Sequence, residues 1–198
     1  MAKPGLLILA SGLGERFESG DKLMADLGGN PVLGHVLDTC QRTGIEHQWI
    51  AIGADQNERL DLARRYKINR LRNPEPARGQ AGSIILGATA AREAGVSSLT
   101  IVLGDMPLVG TAHLLRLQET LTEGAQAVMS KVGTRLQPPA IFSDKLLVRL
   151  EGLTGDQGAR KLFCSLDRTT TLPLGEAEAR DIDTVEDLAD IQSGAHHD

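Results

Sequence analysis

Aromatic side chains are scarce, with Phe, Tyr and Trp at 3% of the chain, while Leu, Ala and Gly are plentiful. That mix suits an α/β protein with many tight turns. Cysteine is nearly absent: Cys40 and Cys164 are too few for a disulfide framework and read as core or near-surface thiols. Basic excess is missing as well. A formal net charge of -5 argues against general nucleic-acid binding, which calls for a basic face. No apolar run is long enough to span a membrane. The N-terminus lacks a signal-peptide layout, since its apolar run is short and leads straight into a loop. The expected compartment is a reducing cytoplasm. The five histidines show no metal-ligand spacing: His35 and His113 lie in helix patterns, and His196 and His197 close the chain.

What is present fits an ordinary globular protein. Hydrophobic residues make up 41% and charged residues 24% of 198 residues, within the range of one domain spanning 1–198. The organising stretch is 6–22: an apolar run, Leu6-Leu7-Ile8-Leu9-Ala10, opens into Ser11-Gly12-Leu13-Gly14-Glu15-Arg16-Phe17 and reaches Lys22. Such a run suits a strand covered on both faces. Glycines let a backbone approach a ligand closely, and successive N–H groups in such a loop form a concavity for anions. Arg16 and Lys22 add positive charge at its rim, so a polyphosphate is the natural target. Two familiar loops do not fit. No hydroxyl follows Lys22, as a P-loop requires, and Phe17 stands where a dinucleotide loop has its third small residue. An ordinary strand-to-loop turn with surface charges stays open as the alternative.

Along the chain, Asn30 and Pro31 read as the N-cap and first residue of a helix that stops near Gly44. Residues 47–52 read as a strand, 58–66 as an amphipathic helix and 68–72 as a short strand. Gly82-Ser83 opens a helix ending by Gly95. Residues 99–103 form a second strongly buried strand, followed by Gly104-Asp105-Met106-Pro107, and Thr111 can cap the next helix. Residues 127–130 read as a strand, 133–139 as a polar loop, and 140–142 as a short apolar run. Helical patterns at 144–150 and 159–166 flank a second glycine-rich loop at 152–158. Residues 169–174 favour a strand, and a capping box at Thr184 and Asp187 starts the last helix. Alternating strands and helices imply a mainly parallel sheet covered on both faces. Ligands of such sheets lie beyond the carboxyl ends of the strands, where Ser11 and Asp105 should meet.

A phosphate cradle with a carboxylate at a strand end suggests metal-assisted phosphoryl chemistry. Mg²⁺ takes one or two carboxylates plus phosphate oxygens and water. Asp105 is the first candidate ligand, though it could equally cap the next turn. Asp181 and Asp183 lie two apart on an extended segment, and Asp183 could instead serve the Thr184 cap. Asp156 is a metal or substrate residue, or a turn former between glycines.

These residues resemble the molybdenum-cofactor nucleotidylyltransferase family. Leu9 to Phe17 followed by Lys22 is similar to its N-terminal signature, and Leu27-Gly28-Gly29-Asn30-Pro31-Val32-Leu33 to the segment that follows. Leu103-Gly104-Asp105-Met106-Pro107 resembles the metal-aspartate motif, and Gly79-Gln80-Ala81-Gly82-Ser83 with Gly87 the branch's serine segment. Gly155-Asp156-Gln157-Gly158-Ala159-Arg160 and Asp181-Ile182-Asp183-Thr184 resemble its two late motifs, which point to the cytidylyltransferase side. Ser11 stands where cytidylyl members have Ala and guanylyl members Gly. Arg135-Leu136-Gln137-Pro138-Pro139 replaces a glycine-led turn.

The resemblance implies a three-layer αβα sandwich of the Rossmann-like nucleotidyltransferase (nucleotide-diphospho-sugar transferase) type. It implies transfer of a cytidylyl group from CTP to molybdopterin with release of pyrophosphate, and Mg²⁺ as cofactor. Arg16, Lys22 and Asp105 would be catalytic, and Asp105 and Asp183 would hold the metal. Leu9, Ala10, Ser11, Gly12, Leu13, Gly14, Lys22, Gln80, Gly82 and Ser83 would bind the nucleotide. Asp156 and Arg160 would face the second substrate. A recipient molybdoenzyme or its chaperone would be a further partner, with no nucleic acid or membrane. Guanylyl transfer from GTP, nucleotidyl transfer to a sugar or alcohol phosphate, and a non-catalytic nucleotide-binding chaperone are the alternatives.

Overall fold

The structure is a computed structural model and describes residues 3–14, 16–122, 124–154 and 158–194. Strands β1 (Pro4–Leu9), β4 (His47–Gly53), β5 (Asn69–Asn73), β6 (Ser98–Leu103), β7 (Ala127–Val132), β8 (Arg135–Ser143) and β9 (Thr169–Pro173) form one sheet in the order β5-β4-β1-β6-β8-β7-β9. Only β8 runs antiparallel to its neighbours. A small two-stranded piece pairs β2 (Asp26–Leu27) with β3 (Asn30–Pro31).

Helices cover both faces because alternate side chains of each strand point to opposite sides. On one side Leu6, Ile8, Ile50, Ile52 and Val102 pack with residues of α1 (Val32–Arg42), α2 (Asn57–Arg65), α4 (Thr111–Thr122) and α7 (Val185–Gly194). On the other, Leu7, Leu9, Trp49, Leu99 and Ile101 pack with α3 (Gln80–Glu93), α5 (Leu147–Glu151) and α6 (Ala159–Cys164). The result is the expected three-layer αβα sandwich. Each fully buried Leu or Ile of these two cores contributes about 1.5–3 kcal/mol of burial free energy. No helix among the described residues is long and apolar enough to cross a membrane.

Three local expectations are corrected. Asn30 does not cap α1: Pro31 holds the N-cap position, and the Asn30 side chain donates to Asp38 at 3.0 Å. Thr111 lies inside α4, and its hydroxyl donates to the carbonyl of Thr39 at 3.2 Å. The supposed loop at 133–139 is mostly strand, since β8 begins at Arg135. Proline cannot donate to a ladder, so Pro138-Pro139 argues against a central strand. The pairing steps from Met129 opposite Ala140 to Ser130 opposite Gln137, so both prolines fall in a bulge between bonded pairs. The Ser130 hydroxyl takes up the Pro139 carbonyl at 2.7 Å.

Candidate active site at the carboxyl edge of the sheet

The carboxyl ends of β1 and β6 open into a cleft of about 530 Å³. Its floor is the 9–14 loop, one wall is the start of α3, and the other carries Asp105 and Asp183. Close approach at Gly104 joins the first and last of these: its N–H donates to the Leu9 carbonyl at 2.9 Å. A Cβ there would meet Leu9 O at 3.1 Å and the buried Leu33 side chain at 3.2 Å, so a larger residue would push Asp105 away from the loop. The chain returns to this edge after β9. The Ile182 N–H donates to the Asp105 carbonyl at 2.9 Å, and the fully buried Ile182 side chain anchors the crossing, which delivers Asp183 beside Asp105. The predicted capping box forms next to it: the Asp187 N–H donates to Thr184 Oγ1 at 3.1 Å, and the Thr184 N–H donates to Asp187 Oδ2 at 2.8 Å.

Lys22 closes the cluster. Its Nζ donates to Asp105 Oδ2 at 2.7 Å and to Asp183 Oδ1 at 2.8 Å. Arg16 Nη2 pairs with the other Asp183 oxygen at 2.7 Å. The two cations are unlike: the Lys22 side chain is 9% exposed and the Arg16 side chain 76%. Burial pushes the Lys22 ammonium toward losing its proton, but Asp105 and Asp183 more than offset that, and its pKa lies above the ordinary lysine value. Burial raises the Asp105 carboxyl above the ordinary carboxylate range; Lys22 pulls it back and Asp181 adds to the rise. Asp105 Oδ1 is buried without a hydrogen-bond partner among the described residues. A carboxylate oxygen in that state is expensive unless something electropositive completes it.

A buried hydroxyl cluster lies behind the other wall. Ser11 Oγ and Ser83 Oγ are 2.6 Å apart, and Asn73 Nδ2 donates to both, at 3.3 and 3.1 Å. One serine must donate to the other, which leaves one O–H of the pair to point elsewhere. Leu9, Leu103 and Pro76 add apolar surface to the lining.

Of the residues singled out from the sequence, Leu9, Ala10, Ser11, Gly12, Leu13, Gly14, Arg16, Lys22, Gln80, Ser83, Asp105 and Asp183 all line this cleft. Gly82 does not; it faces the Asn73 amide, where a Cβ would lie 3.4 Å away. Arg160 is exposed on α6 and is not part of the lining. Asp156 lies outside the described residues. Gly158, two residues on, reaches the rim: a Cβ there would come within 3.2 Å of Gln80 Oε1. Sequence reasoning missed Asn73, Gln56, Arg59 and Asp21. The one signal available was Arg59, a charge in the apolar stripe of α2 beside Leu62 and Ala63.

A family model described as the MobA-like NTP transferase domain matches residues 6–169. The chain belongs to that family. Among curated proteins it is similar to the bifunctional protein GlmU of Acidiphilium cryptum, 32% identical over 140 residues. That match covers 69% of this chain but 30% of the relative, so the chain spans about a third of that protein's length. Two solved structures share the fold. One is the molybdopterin-guanine dinucleotide biosynthesis protein A of Archaeoglobus fulgidus, with TM-score 0.70 and 21% identity over 96% of this chain and 98% of that one. The other is a Mycobacterium tuberculosis protein solved in complex with manganese, with TM-score 0.77 and 19% identity over 97% and 99%. The seven-stranded sheet and the family match together place the chain in the Rossmann-like fold of the MobA-like NTP transferase domain.

Proposed function

We propose that the chain is a CTP:molybdopterin cytidylyltransferase that uses Mg²⁺. The observation that carries the reading is the convergence of Arg16, Lys22, Asp105 and Asp183 on one cleft beside the 9–14 loop. The donor set suits the metal. Two carboxylates face one cation position, and Asp105 Oδ1 lacks a partner. No group of three or more metal-ligating side chains exists among the described residues, so the ion would take its remaining ligands from phosphate and water. A fold neighbour was solved in complex with manganese, which supports use of a divalent ion. Asp105 and Asp183 would hold the ion, which would supply positive charge to neutralise the phosphates.

The chain's own groups do the positioning. In the reaction a terminal phosphate oxygen of molybdopterin attacks the α-phosphorus of CTP, the bond to the β-phosphate oxygen breaks, and pyrophosphate leaves. Such transfers depend on in-line placement and charge neutralisation more than on covalent help. Loop 9–14 would hold the triphosphate, with Arg16 and Lys22 stabilising charge on the leaving pyrophosphate. Lys22 would turn from its carboxylate partners to the phosphate oxygens of the bound triphosphate. Ser11, Ser83 and Gln80 would meet the base edge against the apolar wall, with Asn73 holding the two hydroxyls from behind. Asp156 and Arg160 would serve the second substrate. The late motifs support the cytidylyl side. Calorimetry with Mg²⁺ and CTP, GTP, ATP or UTP tests the reading. Preference for CTP, followed by pyrophosphate release with molybdopterin, is expected. Preference for GTP would move the assignment to guanylyl transfer, and no binding to any of them would overturn the nucleotide site.

A further inference from the structure

Arg59 is the largest fully buried side chain among the described residues, and none of the steps above uses it. A buried guanidinium is destabilising unless its donors are matched. Four of its five N–H donors are. Nε and Nη2 form a fork on Asp21 at 2.6 Å each, and Nη1 donates to the carbonyls of Ala10 at 2.7 Å and Gly12 at 2.9 Å. At the N-cap of α2, Gln56 Nε2 donates to the carbonyls of Ser11 at 3.3 Å and Gly12 at 3.2 Å. Gln56 is itself held by the Gly53 N–H on its Oε1 at 2.8 Å. One side chain of α2 and one at its N-cap thus hold three consecutive carbonyls of the loop.

The consequence follows from peptide geometry. In a planar trans peptide the carbonyl of one residue and the N–H of the next point in opposite directions. With the carbonyls of Ala10, Ser11 and Gly12 turned toward α2, the N–H groups of Ser11, Gly12 and Leu13 are turned away from it. Those three N–H groups have no partner among the described residues. Arg59 also fixes the far end of the loop. Asp21 accepts the Leu23 N–H at 3.0 Å and directly precedes Lys22. One guanidinium therefore joins the start of the loop, where the amides are, to its end, where the ammonium is.

We infer that Arg59, assisted by Gln56, is the positioning residue of the phosphate cradle: it aims the three free amides and places Lys22 for a polyphosphate. This rests on the reading of the 9–14 loop as a phosphate cradle, and not on which nucleotide or second substrate is used. The probe is accordingly inorganic tripolyphosphate with Mg²⁺, measured by calorimetry, with thermal midpoints taken in parallel. Wild type should bind it. Arg59→Lys keeps the charge but loses the fork, and should weaken binding by about tenfold or more. Gln56→Ala removes no charge and leaves the core untouched, so it should weaken binding by about threefold with an unchanged thermal midpoint. Folded variants that both bind as wild type does would overturn the inference. If Arg59→Lys fails to fold, Gln56→Ala decides alone. If wild type ignores tripolyphosphate but binds CTP, the clamp falls while the nucleotide site stands. If it binds neither, both fall.

Discussion

The two halves of the sheet use polar groups in opposite ways. At the carboxyl ends of β1 and β6 the polar groups are charged and converge on open space: Lys22 bridges Asp105 and Asp183, Arg16 reaches over them, and Arg59 holds the loop from behind. In the half built on β7, β8 and β9 the main polar contact is neutral and closed. His113 on α4 meets Ser130, and Ser130 donates to the Pro139 carbonyl. Both side chains are buried and neither lines the cleft. The difference separates groups that wait for a ligand from groups that already satisfy one another. Among the described residues, the one buried carboxylate oxygen without a partner, Asp105 Oδ1, belongs to the first set.

The largest effect should come from breaking the first set at Asp105. Asp105→Ala removes one of two carboxylates from the proposed metal position, and turnover should drop by at least about 10³-fold. The fold should survive, because Asp183 remains as the partner of Lys22. Single-turnover release of pyrophosphate checks it, and near-normal turnover would remove Asp105 from the metal site.

Lys22 sharpens the comparison with a smaller effect and a less intuitive sign. Lys22→Met leaves Asp105 and Asp183 facing each other without a shared cation, which should lower stability by about 1–3 kcal/mol. The same change frees the position between the carboxylates. Mn²⁺ alone, followed by electron paramagnetic resonance, should therefore bind more tightly to the variant than to wild type, while affinity for the nucleoside triphosphate falls. Unchanged Mn²⁺ affinity would mean that Lys22 and the metal do not compete for one position.

The contrast also explains what the sequence could and could not tell. The apolar run from Leu6 to Leu9, whose residues divide between the two cores, and the alternation of most strands with helices made the layered architecture legible. Residues next to a glycine-rich turn or at the end of an apolar run, such as Ser11, Lys22 and Asp105, were legible from local pattern. Asn73 and Arg59 were not. Their roles depend on contacts 62 and 49 residues away, to Ser11 and Ala10, and no local spacing encodes such a meeting. The first part of β8 was hidden for a different reason. Two prolines mimic a loop when the bulge that accommodates them and the Ser130 hydroxyl that satisfies Pro139 are both out of view.

The closed set makes the last and smallest prediction, and its sign can be worked out. Ser130 spends its proton on the Pro139 carbonyl, so its oxygen accepts from His113 Nε2, which fixes the neutral imidazole as the Nε2–H tautomer. Burial lowers the His113 pKa below its ordinary value of 6.5; Glu178 opposes that and Arg116 adds to it. The unfolded chain then takes up this proton at a higher pH than the folded one. Between the two pKa values the unfolded state binds more protons, so stability increases with pH there. His113 thus contributes stability that is fully present above about pH 6.5 and is lost as the pH falls through the folded-state value. Thermal midpoints of wild type and His113→Gln across pH 7.5 to 5 isolate the term, since glutamine can still donate to Ser130 but does not titrate. Wild type should lose more stability than the variant on acidification. Parallel curves would show that His113 takes up its proton as readily in the folded protein as in the unfolded chain, and that this half of the sheet is less closed than its hydrogen bonds indicate.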